Sequence, residues 1–289
     1  MSDSAVLRAR LRNALMAERA FGVEALPIDP AILRKPRSQP KPRPPTPAAT
    51  PTPAAAPAKP APRAKPVAPA TDLFGNPVKA STSAAETTYT PFTDPPLPRQ
   101  KRIELLVKLD DDEVRGCTKC ALSENRTHTV FGEGDPEANL MFVGEGPGEN
   151  EDLSGRPFVG RAGQKLDEMI KAMGFGRADV YIANVVKCRP PGNRTPVAGE
   201  IAACTPYLHR QLELIRPKVI VTLGLPATKH ILGVQQSMGK LRGRWHTFRG
   251  IDVMPTYHPA YLLRSYTPAN RRAVWEDLQQ VVERLGKSG

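Results

Sequence analysis

Residues 139–163 read NLMFVGEGPGENEDLSGRPFVGRAG, and no single regular element can absorb them. Leu140, Met141, Phe142 and Val143 form a continuous apolar run with the length of a buried strand. The Gly144-Glu145-Gly146-Pro147-Gly148 run that follows cannot extend it, so the chain must turn there. Three glycines around one proline permit positive φ and close backbone approach, as a loop wrapped round a small planar or anionic ligand requires. Carboxylates at Glu145, Glu149, Glu151 and Asp152 make it a poor phosphate cradle. The Walker lysine is missing and the spacing is not GxGxxG, which weakens a nucleotide-binding reading. A second turn, Gly155-Arg156-Pro157, then presents Phe158. The competing reading is an ordinary acidic surface loop between a strand and a helix.

Further strand signals recur at 180–186, 219–223 and 253–256. Helical patterns occupy 102–112, 164–173, 196–215, 226–232 and 268–285. This alternation predicts an α/β fold, a single three-layer domain with a mainly parallel central sheet and helices on both faces. In such sheets ligands bind beyond the carboxyl ends of the strands. The residues just after the strands are therefore the candidates: 144–152, Asn184 with Lys187, Gly224, and Tyr257 with His258. Of the five histidines, only His258 sits at a strand end against a proline turn.

The domain is expected to cover residues 100–289, because the prolines separate it from what precedes. Of 32 prolines, 20 fall between Pro27 and Pro98. That interval is rich in Ala, Thr, Lys and Arg and has no apolar periodicity, so residues 27–99 read as a disordered basic linker. Residues 1–26 hold one short amphipathic helix, over 4–21, with Val6, Leu7, Leu11, Leu15 and Met16 on one face. Asp72-Leu73-Phe74 is a lone apolar island. Residues 1–98 carry 13 Lys/Arg against 7 Asp/Glu, half of the net +12. A basic body with a basic tail favours nucleic acid as the partner, and the tail is expected to contact DNA or a repair or replication protein. No stretch has the length of a membrane span or the pattern of a secretory signal, so a cytoplasmic, nucleoid-associated monomer is expected.

The four cysteines fall in two pairs, Cys117 with Cys120 and Cys188 with Cys204. A C-x2-C knuckle aims two thiolates at one centre, and a second pair from elsewhere in the fold can complete the coordination. Two disulfides are disfavoured in a reducing compartment. Spacing alone leaves zinc and an iron-sulfur cluster both open.

Taken together, residues 105–285 resemble the family 4 uracil-DNA glycosylases, the iron-sulfur branch of that superfamily. The matching motifs are Cys117-Thr-Lys-Cys120, GEGPGENED at 144–152, GRPFVGRAG at 155–163, NVVKCRPPGNRTP at 184–196 and HPAYLLR at 258–264. The resemblance implies a [4Fe-4S] cluster on Cys117, Cys120, Cys188 and Cys204. It also implies excision of uracil from DNA by cleavage of the N-glycosidic bond, leaving an abasic site for base excision repair. Phe158 would stack on a flipped uracil, Asn184 would read its O4 and N3–H, and His258 would stabilise charge on O2. Glu145 would position water or stabilise the sugar cation. Glu151 would line the pocket near uracil C5. Gly146 stands where the best-known uracil glycosylases carry a water-activating aspartate. Tyr261, Leu262 and Leu263 would form a wedge, with Arg264 on phosphate, and the 240–244 loop, KLRGR, would contact phosphate. Two rivals are a covalently crosslinking relative, which needs a histidine after the asparagine motif, and a non-catalytic iron-sulfur DNA-binding module.

Overall fold

The computed structural model describes residues 90–286. The expected 4–21 helix, the 72–74 island and the basic linker up to residue 89 lie outside the described residues. Among the described residues, six strands form one sheet in the order β1-β3-β2-β4-β6-β5. The strands are β1 (Glu133–Gly134), β2 (Leu140–Gly144), β3 (Tyr181–Asn184), β4 (Val219–Leu223), β5 (His246–Phe248) and β6 (Ile251–Thr256). The four inner strands β3, β2, β4 and β6 are parallel, and β1 and β5 close the edges antiparallel.

Side chains alternate across a strand, and here both sides are dry. Met141, Val143, Ala183, Ile220 and Val253 point into one core layer. Their neighbours Leu140, Phe142, Ile182, Val221 and Met254 point into the other. The first layer is covered by α1 (Arg99–Leu109), α4 (Ala198–Ile215) and α5 (Leu225–Leu232), through residues such as Leu106, Leu208 and Ile231. The second is covered by α3 (Arg161–Ala172), α7 (Pro259–Arg264) and α8 (Pro268–Arg284), through Leu166, Leu262 and Leu278. Each large side chain buried in these layers contributes about 1.5–3 kcal/mol. The expected three-layer α/β architecture is the one found.

Three local expectations are corrected. The acidic segment after Gly148 is a helix, α2 (Glu149–Ser154), rather than loop. Its first turn carries Glu149, Glu151 and Asp152, where the helix dipole favours negative charge, and Gly155 ends it at φ +70. The HPAYLLR segment likewise forms α7, and a four-residue helix α6 (Met238–Leu241) precedes β5. Finally, order begins before residue 100. The Phe92 ring lies between the guanidinium groups of Arg216 and Arg249, 4.1 and 4.4 Å from its centroid. Phe92 N–H donates to Arg249 O at 3.3 Å, and Arg216 Nη1 donates to Asp94 O at 3.2 Å. Buried Arg102 then ties Leu97 O, Pro136 O and Ile215 O together at 2.6–3.1 Å. Residues 90–98 are thus a strap on the domain rather than part of a disordered linker.

Candidate active site

The parallel strands end at one rim, where the chain opens a cleft of about 660 Å³. Its lining includes Glu145, Gly146, Glu151, Phe158, Asn184, His258 and Arg264, contributed by the segments that follow β2, β3 and β6. Gly224 and Leu225 after β4 complete the wall. Residues more than a hundred positions apart meet because the strands that carry them are in parallel register, with Gly144 opposite Asn184.

Asn184 is 1% exposed, and its Oδ1 is a buried acceptor with no partner. Leaving such an atom unpaired costs about 1–3 kcal/mol, which a ligand N–H can relieve. Gly144 leaves room beside it: a Cβ there would stand 2.6 Å from the tip of the Phe158 ring. Phe158 forms a wall of the same cleft with its backbone at φ +50. A left-handed backbone in a residue with a Cβ stores on the order of 1–3 kcal/mol. Its ring centroid lies 5.7 Å from that of His258, at 32°.

His258 caps α7, and its Nδ1 accepts from Ala260 N–H at 3.1 Å. An imidazole that accepts through Nδ1 carries its proton on Nε2, so it is a neutral donor. Burial, helped by the nearby Arg264 charge, lowers its pKa to about 4, with Glu151 opposing. Glu145 lines the cleft with Oε1 buried and without a partner. Burial raises its pKa, and a hydrogen bond from Thr195 only partly offsets that. Glu151 lines the cleft, as expected, and its carboxylate is also engaged by backbone amides. Its Oε2 accepts from Gly148 N–H at 3.1 Å, and its Oε1 accepts from Val159 and Gly160 N–H at 2.8 and 2.9 Å. The carboxylate binds the two loops to each other.

The wedge expectation is corrected in part. Leu262 is fully buried in the layer with α3 and α8 rather than presented at the surface. Leu263 is half-buried and Arg264 exposed, while Tyr261 lines the cleft and packs on Tyr257 at 4.8 Å. In the 240–244 loop, Lys240 and Arg244 are exposed. Arg242 instead turns inward to Asp277, whose carboxylate also accepts from Thr256 Oγ1 at 2.6 Å. Burial raises the Asp277 pKa to about 6 against these partners. Arg194, at the cleft, is held by a two-bond pairing with Glu200 at 2.6 and 2.8 Å. Lys187 lies behind the cleft: its Nζ donates to Asn184 O at 2.9 Å and to Gln211 Oε1 at 2.6 Å.

The four cysteines come together on the far side of Lys187. Cys117, Cys120, Cys188 and Cys204 line one small cavity with Val114, Arg126 and Tyr207. Among the described residues, no three Cys, His, Asp or Glu side chains converge closely enough to hold one metal ion. The four thiols that line this cavity are the side chains that could hold a metal centre. Donors already face the sulfurs: Arg126 Nη1 to Cys188 at 3.2 Å, Lys187 N–H to Cys204 at 3.2 Å, and Tyr207 Oη to Cys117 at 3.3 Å. Burial raises the Cys188 pKa despite Arg126, and raises that of Cys204 to about 11.

The profile of the Uracil DNA glycosylase superfamily matches residues 131–279. A Type-4 uracil-DNA glycosylase of Thermotoga maritima is 48% identical over 190 residues, 64% of this chain and 98% of the relative. One from Sulfurisphaera tokodaii is 50% identical over 181 residues, 60% of this chain and 81% of its own. A Type-5 uracil-DNA glycosylase of Pyrobaculum aerophilum is more distant, at 35% over 147 residues, 45% of this chain and 64% of its own. The chain therefore belongs to the uracil DNA glycosylase superfamily, in its type-4 branch.

Proposed function

We propose that this protein is a uracil-DNA glycosylase that flips uracil out of DNA and hydrolyses its N-glycosidic bond, initiating base excision repair. The observation that carries the reading is the unpartnered, buried Oδ1 of Asn184 beside Phe158 and the neutral His258 donor. A flipped uracil stacks on Phe158. Its N3–H donates to Asn184 Oδ1, while the Asn184 amide donates to O4. Cytosine fails this match, because its N3 accepts and its N4 donates. As the C1′–N1 bond breaks, negative charge grows on the base, and His258 Nε2–H donates to O2. Water adds its hydroxyl to C1′, and its proton leaves through Glu145, whose buried Oε1 is open to accept it. The base departs as the N1 anion and becomes uracil by taking a proton from solvent, to which Glu145 returns the proton it accepted.

The donor set suits a [4Fe-4S] cluster, which Cys117, Cys120, Cys188 and Cys204 would hold, with donors in place to balance sulfur charge. Such a cluster would tie together the segment after α1, the segment after β3 and helix α4. Leu263, Arg264, Lys240 and Arg244 face the DNA, and the basic tail adds affinity without base choice. The protein acts as a monomer on the chromosome in this reading. His258 is the one histidine among the cleft-lining residues, which disfavours a crosslinking relative.

An abasic-site assay tests the reading. Oligonucleotides containing uracil should become alkali-labile, whereas thymine and cytosine controls stay intact. A folded, loaded protein that leaves the uracil strand untouched would sink it.

A further inference from the structure

Phe158 keeps its left-handed backbone because a residue outside the cleft grips both adjoining carbonyls. Arg177, in the 3₁₀ turn Arg177–Asp179, donates through Nη1 to Phe158 O at 3.3 Å and through Nη2 to Pro157 O. Its plane is fixed by two carboxylates: Nη1 also donates to Asp167 Oδ1 at 2.6 Å, and Nε donates to Glu133 Oε1 at 2.7 Å. Four of the five guanidinium donors are thereby directed. Glu133 is itself held from the other side by Arg156, at 2.8 and 3.1 Å. Gly163 closes the arrangement, since a Cβ there would stand 1.9 Å from Phe158 O.

A planar fork can hold two successive carbonyls in one orientation, and a lysine ammonium cannot. Arg177 is not among the residues that line the cleft. We propose that Arg177 is a positioning residue for base recognition. Through the Pro157 and Phe158 carbonyls it sets the plane on which the extruded base stacks, and Glu133 and Asp167 aim it. The proposal rests on Phe158 being the stacking face.

The test is a double-mutant cycle in single-turnover uracil excision by the full, loaded protein, with Arg177→Lys, Phe158→Ala and the pair. Thermal melts run alongside. Arg177→Lys should slow excision by about ten- to a hundredfold, since a small misplacement of a binding group has that reach. In the Phe158→Ala background the same change should have no further effect, because no ring remains to be placed. Multiplying losses would show that Arg177 acts elsewhere and would overturn the proposal while leaving stacking intact. Wild-type rates for Phe158→Ala would overturn the stacking reading and this proposal with it. Should Arg177→Lys fail to fold, Asp167→Asn loosens the same guanidinium from a half-exposed position. It should show the same dependence on Phe158, and additive loss there also overturns the proposal.

Discussion

Gly144 and Asn184 face one another across the β2–β3 ladder, and a Cβ on Gly144 would stand 2.4 Å from Asn184 Oδ1. The same Cβ would meet the Phe158 ring at 2.6 Å. Gly144→Ala should therefore displace both proposed base contacts at once. Overpacking of this kind costs about 1–3 kcal/mol of stability. The excision rate should fall further, by about a hundredfold. A melt and a single-turnover assay check both halves, and an unimpaired rate would mean that the two side chains are not fixed by this contact.

His258→Ala should lower turnover far more than DNA binding, by roughly a hundred- to thousandfold, because its hydrogen bond strengthens as the base becomes an anion. With its pKa near 4, the imidazole stays neutral and contributes no inflection to the rate between about pH 6 and 8. Glu145 must be ionised to accept a proton, and its raised pKa moves the acid limb above the usual carboxylate range, with the rate rising with pH through it. Glu145→Gln should abolish that limb. A limb that survives in Glu145→Gln assigns it to another group.

Asn184→Asp replaces an amide donor with an acceptor that opposes uracil O4 and suits cytosine N4. Uracil excision should be severely impaired, and weak cytosine removal gained. Excision measured on both oligonucleotides decides it, and an unimpaired uracil rate would move base reading away from Asn184.

The purified protein should be brown and carry four irons per chain. Stoichiometric zinc without visible absorbance would overturn the cluster. Removing the iron, or Cys117→Ala, should lower the melting temperature and DNA affinity together. Asn184→Asp and His258→Ala should leave the visible spectrum unchanged.

The tail makes a separable prediction. Residues 1–89 carry 13 Lys/Arg against 6 Asp/Glu, so a chain beginning at Thr90 should show a shallower dependence of DNA binding on salt, with base choice unchanged. Its melting temperature should match that of the full chain. A chain beginning at residue 99 loses the Phe92 strap and should melt lower. An unchanged salt slope would assign the tail to a protein partner.

The sheet was legible because its inner strands are buried on both faces and read as apolar runs, as 140–143 and 219–221 do. The short edge strands β1 and β5 carry no such signal. Asn184 and His258 were legible because a strand followed by a turn places its next polar residue at the rim. Leu262 misled for a local reason: within α7 its side chain turns into the core, and a helix was not evident in HPAYLLR. The amide partners of Glu151 were not legible, because backbone groups leave no trace in residue types. Arg177 was missed altogether, since a lone arginine in a turn gives no hint that it meets carbonyls 19 and 20 positions earlier.

The cleft draws on β2, β3, β4 and β6 in that order, and its last wall depends on β6 pairing beside β4, Val219 opposite Asp252. Parallel pairing is non-local and slow, because each strand must close a long loop before it gains contacts. A chain leaving the ribosome can close the β2–β3 ladder, and with it set Asn184 beside Gly144, well before His258 has been synthesised. On the proposed roles, such an intermediate would hold the base-reading Asn184 without the His258 that stabilises the departing base. The step that makes this fold an enzyme is thus the last parallel strand to join the sheet.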